Sequence, residues 1–499
     1  MAGHFALIMK NIFFLLIALP MFCFGQQPGF RKLYSGETTG ATFVDIVWDG
    51  EKLITTGQFL TDTAPNNALN GLLYMELDTN GNPLFTDIYF HPNDAVTPQV
   101  GNSLYQSNKG FTYGMGQILD ITSSYLSIYA ESERVSTVEI PVDGLQSWLY
   151  YCVDWDENLL LAGRRSNYQY DSEGMLIKSD AMGNEIWRKF YGSPGLNCGV
   201  AEPYIVDDNT IILPGGKVYW PGTGPISSKW TKSWIIKIDS LGNIKSEWES
   251  PKNIENGVNT RLLKTTDGNW LYTTRRFIPI PGQIDDFSSH PKIVCRDSNF
   301  NLVWEKHLSS FDDKSAYLID ITPTSDGNYL VVGKWLNYTM TSICKFSPSG
   351  DIIWSFNDPD APVGFGDSFL GGVAELPSGS VVAAGYVEDY STNKTEGLII
   401  KLGRNGCMDT LCNTGWIGTA ETEKVSKIKV FPNPAREVLT INNPIGERIE
   451  VFDMAGKLVR TVSAQGEKQP IPIHDLPPGA YIVRMQEKTL RVSYKIIKI

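Results

Sequence analysis

Few residue sets in this chain have the types and spacing that chemistry needs. The five histidines, His4, His91, His290, His307 and His474, are scattered, with no His-x-x-x-His pair, and the seven cysteines include no Cys-x-x-Cys. A zinc site is therefore not legible. No Gly-x-Ser-x-Gly elbow or phosphate loop occurs. Acidic residues are the remaining candidates. Asp78-Thr79-Asn80-Gly81-Asn82 sets oxygen side chains at alternate positions, as a calcium loop begins, but lacks the distal acidic ligand, and a tight hairpin turn accounts for it better. A pair of carboxylates converging in space would cleave a glycosidic bond. Asp-rich turns cannot be distinguished from such a pair by sequence, so two carboxylates meeting in a channel would favour an enzyme. An aromatic face without them would favour binding. The stretch Lys217-Val218-Tyr219-Trp220-Pro221-Gly222 makes Tyr219 and Trp220 a candidate ligand loop, with an ordinary loop covering a sheet edge as an equal reading. No residue is assigned to catalysis, to a cofactor or to a metal.

The elements that must position these residues are repeated. One unit is a strand, a charged turn and a second strand ending in an aromatic residue, as in Ile177 to Trp187, with Asp180, Gly183 and Asn184 in the turn. It returns around Asp78–Phe85, Asp239–Asn243, Asp297–Trp304, Ser347–Trp354 and, truncated, Leu402–Gly406. A degenerate copy at Ser127–Val138 fills the one long gap. A second unit precedes each copy: a polar turn, then an apolar strand that ends in glycine, as at Gly57, Gly163, Gly215, Gly333 and Gly385. Asp-Gly and Gly-Asn pairs supply the positive φ of tight hairpins. One such sheet cannot bury both faces alone, and stacking in a ring does so. The expected fold is all-β, a seven-bladed β-propeller over residues 26–414, with part of residues 26–45 adding a strand to the last blade. The Asp-x-x-Gly-Asn-x-x-Trp unit resembles the tryptophan-docking repeat of quinoprotein-like propellers. That resemblance implies a structural tryptophan, and the vicinal cysteines usual beside a quinone are absent.

Lys10 followed by the apolar run Ile12–Leu19, Pro20 and Gly25 has the layout of a secretory leader, with cleavage expected between Gly25 and Gln26. A lipoprotein signal at Cys23 is disfavoured by Phe22 before it. No later segment is apolar enough to cross a membrane. Export permits disulfides, and Cys407 and Cys412 are expected to pair. Cys152, Cys198, Cys295 and Cys344 sit mostly in apolar runs and fit buried thiols as well as bridges. A net charge of −12 with no Lys/Arg run argues against nucleic acid.

After a linker at 415–427 the pattern changes to short strands of a small β-sandwich, residues 428–499. Phe431-Pro432-Asn433-Pro434, then Phe452-Asp453 with Gly456-Lys457, then Leu476-Pro477-Pro478-Gly479-Ala480-Tyr481 appear in order before a basic and aliphatic last strand. This set resembles the type A sorting domain of the type IX secretion system. A second proline before Gly479 is a minor departure from the familiar pattern. The resemblance implies export through the outer membrane, with the type IX machinery as partner, then release or surface attachment. From residue 425 onward the chain carries 12 basic and 7 acidic residues, net +5, which leaves −17 for the rest. The functional expectation is a noncatalytic exported propeller binding a glycan, polymer or protein at the cell surface. The alternative is a secreted polysaccharide hydrolase or lyase with acidic residues in the channel.

Overall fold

A computed structural model describes residues 29–35, 40–60, 70–92, 94–98, 103–118, 123–141, 146–166, 172–193, 196–219, 230–258, 261–279, 287–308, 317–335, 340–358, 366–390, 394–408, 429–442, 448–453, 457–464, 466, 468–487 and 490–499. The expected leader, with Gly25 and Gln26, and the linker at 415–427 lie outside these residues. Among the described residues every regular element is a strand, and no helix is long and apolar enough to cross a membrane.

The first quartet sets the pattern. Gly40–Trp48, Leu53–Leu60, Asn70–Leu77 and Pro83–Tyr89 pair in order, all antiparallel. Further quartets follow at residues 96–141, 146–191, 197–249, 263–307 and 317–357; in two of them the first position is split into two short strands, Val96–Pro98 with Leu104–Gln106 and Asn197–Val200 with Tyr204–Asp207. The last has three strands of its own, Gly366–Glu375, Val381–Asp389 and Lys394–Leu402. Its fourth is Phe30–Tyr34, antiparallel to Lys394–Leu402. The described residues thus hold seven quartets, and the N-terminal stretch completes the last one, as the repeat pattern anticipates. Arg31 ties this strand to the buried Asp358 at 3.0 Å, and the Lys32 ammonium donates to the Asn80 carbonyl at 2.6 Å. One short strand therefore touches three quartets.

The turn chemistry explains the local geometry. Asp78 Oδ1 accepts the N–H groups of Asn80 and Asn82, and Oδ2 accepts the Asn82 side-chain amide. The same bonds recur at Asp180 with Asn184, Asp239 with Asn243, and Asp297 with Asn301. Both carboxylate oxygens serve the turn itself, as the hairpin reading requires. Gly81, Gly183 and Gly242 take φ of +73°, +83° and +79°, which a side chain resists.

Each quartet packs on the next through its own apolar cluster. Ile54, Tyr74, Leu104 and Tyr129 join the first to the second, and Tyr74 stacks on Tyr129 at 3.7 Å. Phe43 and Leu53 join the first to Val382, Ala384 and Ile399 of the last, which closes the ring. The outer tryptophans dock on turn glycines of the following quartet. A Cβ on Gly350 or Gly406 would lie 2.8 or 2.5 Å from the ring of Trp304 or Trp354. The chain is a β-propeller followed by a β-sandwich. In the sandwich, Lys429–Phe431, Val438–Asn442 and Lys468–Pro472 face a sheet of Leu458–Ser463, Arg448–Asp453, Gly479–Glu487 and Leu490–Lys498, across a core that includes Leu439, Ile441, Val451 and Val483. Cys152, Cys198, Cys295 and Cys344 are buried free thiols. Cys407 is buried and not a free thiol, and Cys412 lies outside the described residues.

Candidate functional site

First strands of several neighbouring quartets touch one another: Gly40–Trp48 meets Leu104–Gln106 and Gly366–Glu375, Gln146–Trp155 meets Leu104–Gln106, and Tyr317–Pro323 meets Gly366–Glu375. In a propeller such strands form the inner wall. Several of them carry a bulge at an equivalent place: between Phe43 and Asp45, Leu149 and Tyr151, Leu318 and Asp320, and Leu370 and Gly372. The paired residue on the second strand is the recurrent glycine, Gly57, Gly163, Gly333 or Gly385. A Cβ on Gly57 would meet the Thr42 carbonyl oxygen at 1.6 Å, and one on Gly385 the Phe369 oxygen at 1.7 Å. Only glycine lets the bulged backbone come so close. A bulge re-aims the residue that follows it. The terminal glycine of the second repeat unit thus sets where inner-wall side chains point.

Asp45 and Asp320 follow two of these bulges. They are almost fully buried, at 3% and 2% exposure. Asp45 Oδ1 accepts the Ile46 N–H and Oδ2 the Leu104 N–H, both at 2.8 Å, so it fastens the first quartet to the second. Asp320 accepts the Val373 N–H of the next quartet at 3.3 Å. Between the carboxylates of two quartets stands Arg261: its Nη2 is 3.3 Å from Asp320 Oδ1 and its Nε is 3.4 Å from Glu202 Oε2. Glu202 follows the inner strand Asn197–Val200, and Arg261 precedes Leu263–Lys264. Tyr151 lies within electrostatic reach of Glu202, Arg261 and Asp320. Five quartets therefore contribute to one buried polar cluster.

Its electrostatics are uneven. Burial, then the charge of Asp320, pushes the Asp45 carboxyl up to about 8 against Arg261 and its two backbone donors. Burial also raises Asp320 and Glu202, with Arg261 opposing. For Arg261 burial works against the charge, but Glu202, Asp320 and Asp45 outweigh it and hold the guanidinium protonated. The side chains of Arg261 and Glu202 keep 24% and 23% of their surface open, whereas the aspartates are sealed. The arrangement gathers three carboxyl groups with raised values around one guanidinium, yet these groups already accept backbone N–H groups or face Arg261.

The candidate ligand loop is elsewhere. Tyr219 ends the strand Thr210–Tyr219, exposed at 36%, and pairs across to Trp230. Their rings lie 5.8 Å apart at 17°. Trp220 lies outside the described residues. The Lys252 ammonium sits 5.6 Å from the Trp230 ring centre and that of Lys232 5.8 Å.

In the C-terminal sandwich the motif residues hold turns and the last strand. The Asn433 side-chain oxygen accepts the Ile497 N–H at 2.8 Å, between Pro432 and Pro434. Asp453 Oδ1 accepts the Lys457 N–H at 2.9 Å, and Tyr481 donates its hydroxyl to the Pro477 carbonyl at 2.7 Å in the turn that holds Leu476 and Gly479. Gly456 lies outside the described residues. Residues 429–499 match the family model described as Secretion system C-terminal sorting domain. The tail is a type IX sorting domain. It sends the protein to the cell surface or the extracellular space, and the type IX machinery is its partner.

No curated protein matches the chain. Among solved structures, a polysaccharide lyase described as a PL25 ulvan lyase aligns at 8% identity over 75% of this chain and 96% of its own, with a TM-score of 0.48. The Penicillium chrysogenum α-L-arabinanase complexed with arabinobiose gives 14%, 60%, 91% and 0.39. A protein of unknown function from Dyadobacter fermentans gives 11%, 74%, 98% and 0.40. Likenesses this distant assign no activity to the sorted propeller.

The sequence reading missed Asp45, Tyr151, Glu202, Arg261 and Asp320. A signal existed for two of them: Val44-Asp45-Ile46 and Ile319-Asp320-Ile321 each set an acid inside an apolar strand, a short distance before an Asp-Gly turn. Ala201-Glu202-Pro203 and Thr260-Arg261-Leu262 carry no comparable mark.

Proposed function

We propose that the mature protein is a noncatalytic exported propeller that binds a glycan, polymer or protein outside the cell. Its seven quartets are read as the seven blades of one ring, residues 1–25 as a leader cut between Gly25 and Gln26, and Cys407–Cys412 as a disulfide. The observation that carries the reading is the commitment of the inner-wall carboxylates. Asp45 and Asp320 are sealed and fasten one quartet to the next, while the Tyr219 ring is offered outward. A buried carboxylate bonded to backbone donors is first a structural group. A glycan array probed with the mature exported protein tests the reading, and retention of a ligand with no product formed is the expected result. Binding to nothing, together with turnover of a polysaccharide, would reverse it.

A second reading, a polysaccharide hydrolase or lyase, has one specific support: the Asp45 carboxyl, pushed up to about 8, lies within electrostatic reach of a second carboxylate, Asp320, as in an acid–base pair. On that reading Asp45→Asn and Asp320→Asn each abolish reducing-end release from a panel of polysaccharides, with folding unchanged by circular dichroism.

A further inference from the structure

The segment after the strand Ile244–Glu249 is built in a way that packing alone does not require. Asn253 folds back on Thr231 with two bonds: its N–H donates to the Thr231 carbonyl at 2.9 Å, and its side-chain oxygen accepts the Thr231 N–H at 3.0 Å. To do so Asn253 takes φ of +62°, one of five non-glycine residues in the left-handed region among the described residues. Such a backbone persists only where its surroundings impose it. The result is that Lys252, an exposed side chain, is held over Trp230 beside Tyr219.

The neighbouring charges are already matched. Lys217 lies 2.7 Å from Glu249 and 3.4 Å from Glu247, and Lys232 lies 2.5 Å from Glu249. Lys252 has no ion-pair partner among the described residues. The Tyr219–Trp230 pair therefore has beside it, over Trp230, one ammonium with no carboxylate partner among the described residues, in a body whose net charge is strongly negative. Aromatic faces take the C–H face of a pyranose ring, and an ammonium beside them takes an anionic substituent on that ring.

We infer that Tyr219, Trp230 and Lys252 form a subsite for a uronic-acid-containing polysaccharide, the sugar ring on the aromatic pair and its carboxylate on Lys252. The inference rests on the binding reading and names its ligand class. The test uses the mature exported protein, with polygalacturonate, fully methyl-esterified polygalacturonate and a neutral glucan as probes, and dissociation constants from calorimetry at low and high salt. Polygalacturonate binds, and its ester and the glucan bind far more weakly. Lys252→Gln weakens polygalacturonate by about three- to tenfold and removes most of the salt dependence. Tyr219→Ala weakens it at both salt concentrations, while Tyr219→Phe keeps the wild-type constant, which separates ring stacking from a folding defect. Unchanged melting temperatures certify that the exposed-site variants are folded. Equal binding of ester and acid, or binding of the glucan alone, overturns the uronate assignment and leaves the binding reading standing. Polygalacturonate binding that Lys252→Gln does not alter overturns the site. No retention of any probe, and none of any ligand on the glycan array, sinks both.

Discussion

Asp180 and Asp45 both sit beside strands of this propeller, and they reach opposite electrostatic states. Asp180 lies in an outer turn, half-buried, with its carboxylate accepting N–H groups from Met182 and Asn184 and the Asn184 amide. Burial is the largest single influence and raises it, but these bonds together outweigh burial and hold it below the usual carboxylate range. Asp45 lies on the inner wall, also with two N–H donors, but sealed from water and near Asp320, and it rises to about 8. Equal numbers of backbone bonds thus give different acidities. What decides is whether water is present and whether a second carboxylate is near. The turn carboxylate is a local device, complete within five residues. The inner-wall carboxylate is a long-range device that exists only once the ring has closed.

This contrast can be broken most severely at the glycines that permit the bulges. Gly57→Ala drives a methyl group to 1.6 Å from the Thr42 oxygen, so the bulge that aims Asp45 cannot form. The expected loss exceeds about 4 kcal/mol, or no folded protein is recovered. Gly50→Ala, at a turn glycine with φ of +105° and open space around it, costs about 1 kcal/mol through backbone strain alone. Urea denaturation of the two variants checks the difference, and similar losses would refute the role given to the bulge. Next in size is Arg261→Gln, which leaves Glu202 and Asp320 facing each other without a cation. Because Arg261 keeps about a quarter of its surface open, the expected loss is about 3 kcal/mol, at the lower end for a broken buried pair.

The recurring hairpin turns were legible in the sequence because they are local. Asp180, Gly183 and Asn184 announce a hairpin by type and spacing, and Trp187 marks the end of the strand that follows. The added N-terminal strand was legible too, since residues 26–45 supply only part of a repeat and are free to join the last sheet. The glycine ending each second unit was visible, but its reason was not: the close carbonyl belongs to a different strand. Glu202 and Arg261 were invisible for a stronger reason. They are 59 positions apart, and each is 118 and 59 positions from Asp320, so only ring geometry brings them together. Tyr219 was found by its aromatic neighbour Trp220. The more informative companion is Trp230, eleven residues away and opposite it in register.

Acidity gives a third comparison, with opposite signs in the two regions. Asp45, Asp320 and Glu202 have raised folded values, so their stabilising contribution is full below about pH 4, falls as pH rises toward the folded value of about 8 for Asp45, and is flat above it. Asp78 and Asp180 have lowered values, so their contribution is present above about pH 4 and lost as pH falls through the folded values. The melting temperature of the mature protein should therefore decline from about pH 5 to about pH 8, and fall again in strong acid. Asp45→Asn flattens the first decline and leaves the second. A profile in which the variant and the wild type run parallel from pH 5 to pH 8 would show that Asp45 does not bear the proton assigned to it.

The smallest effect is expected at a single turn. Asp180→Ala removes the acceptor of two N–H groups and of the Asn184 amide, but water reaches all three donors, so the loss is about 0.5–1 kcal/mol. Gly183 still supplies the left-handed position, and the flanking strands Ser172–Asp180 and Glu185–Tyr191 remain paired over most of their length. The same variant should also lose part of the acid limb of the pH profile, because its lowered carboxylate no longer titrates. Urea midpoints measured at pH 7 and at pH 3 check this: the gap between wild type and variant narrows at the lower pH. A gap as large as that of Arg261→Gln would mean that the turn is coupled to the ring, and that the division between local and long-range carboxylates fails.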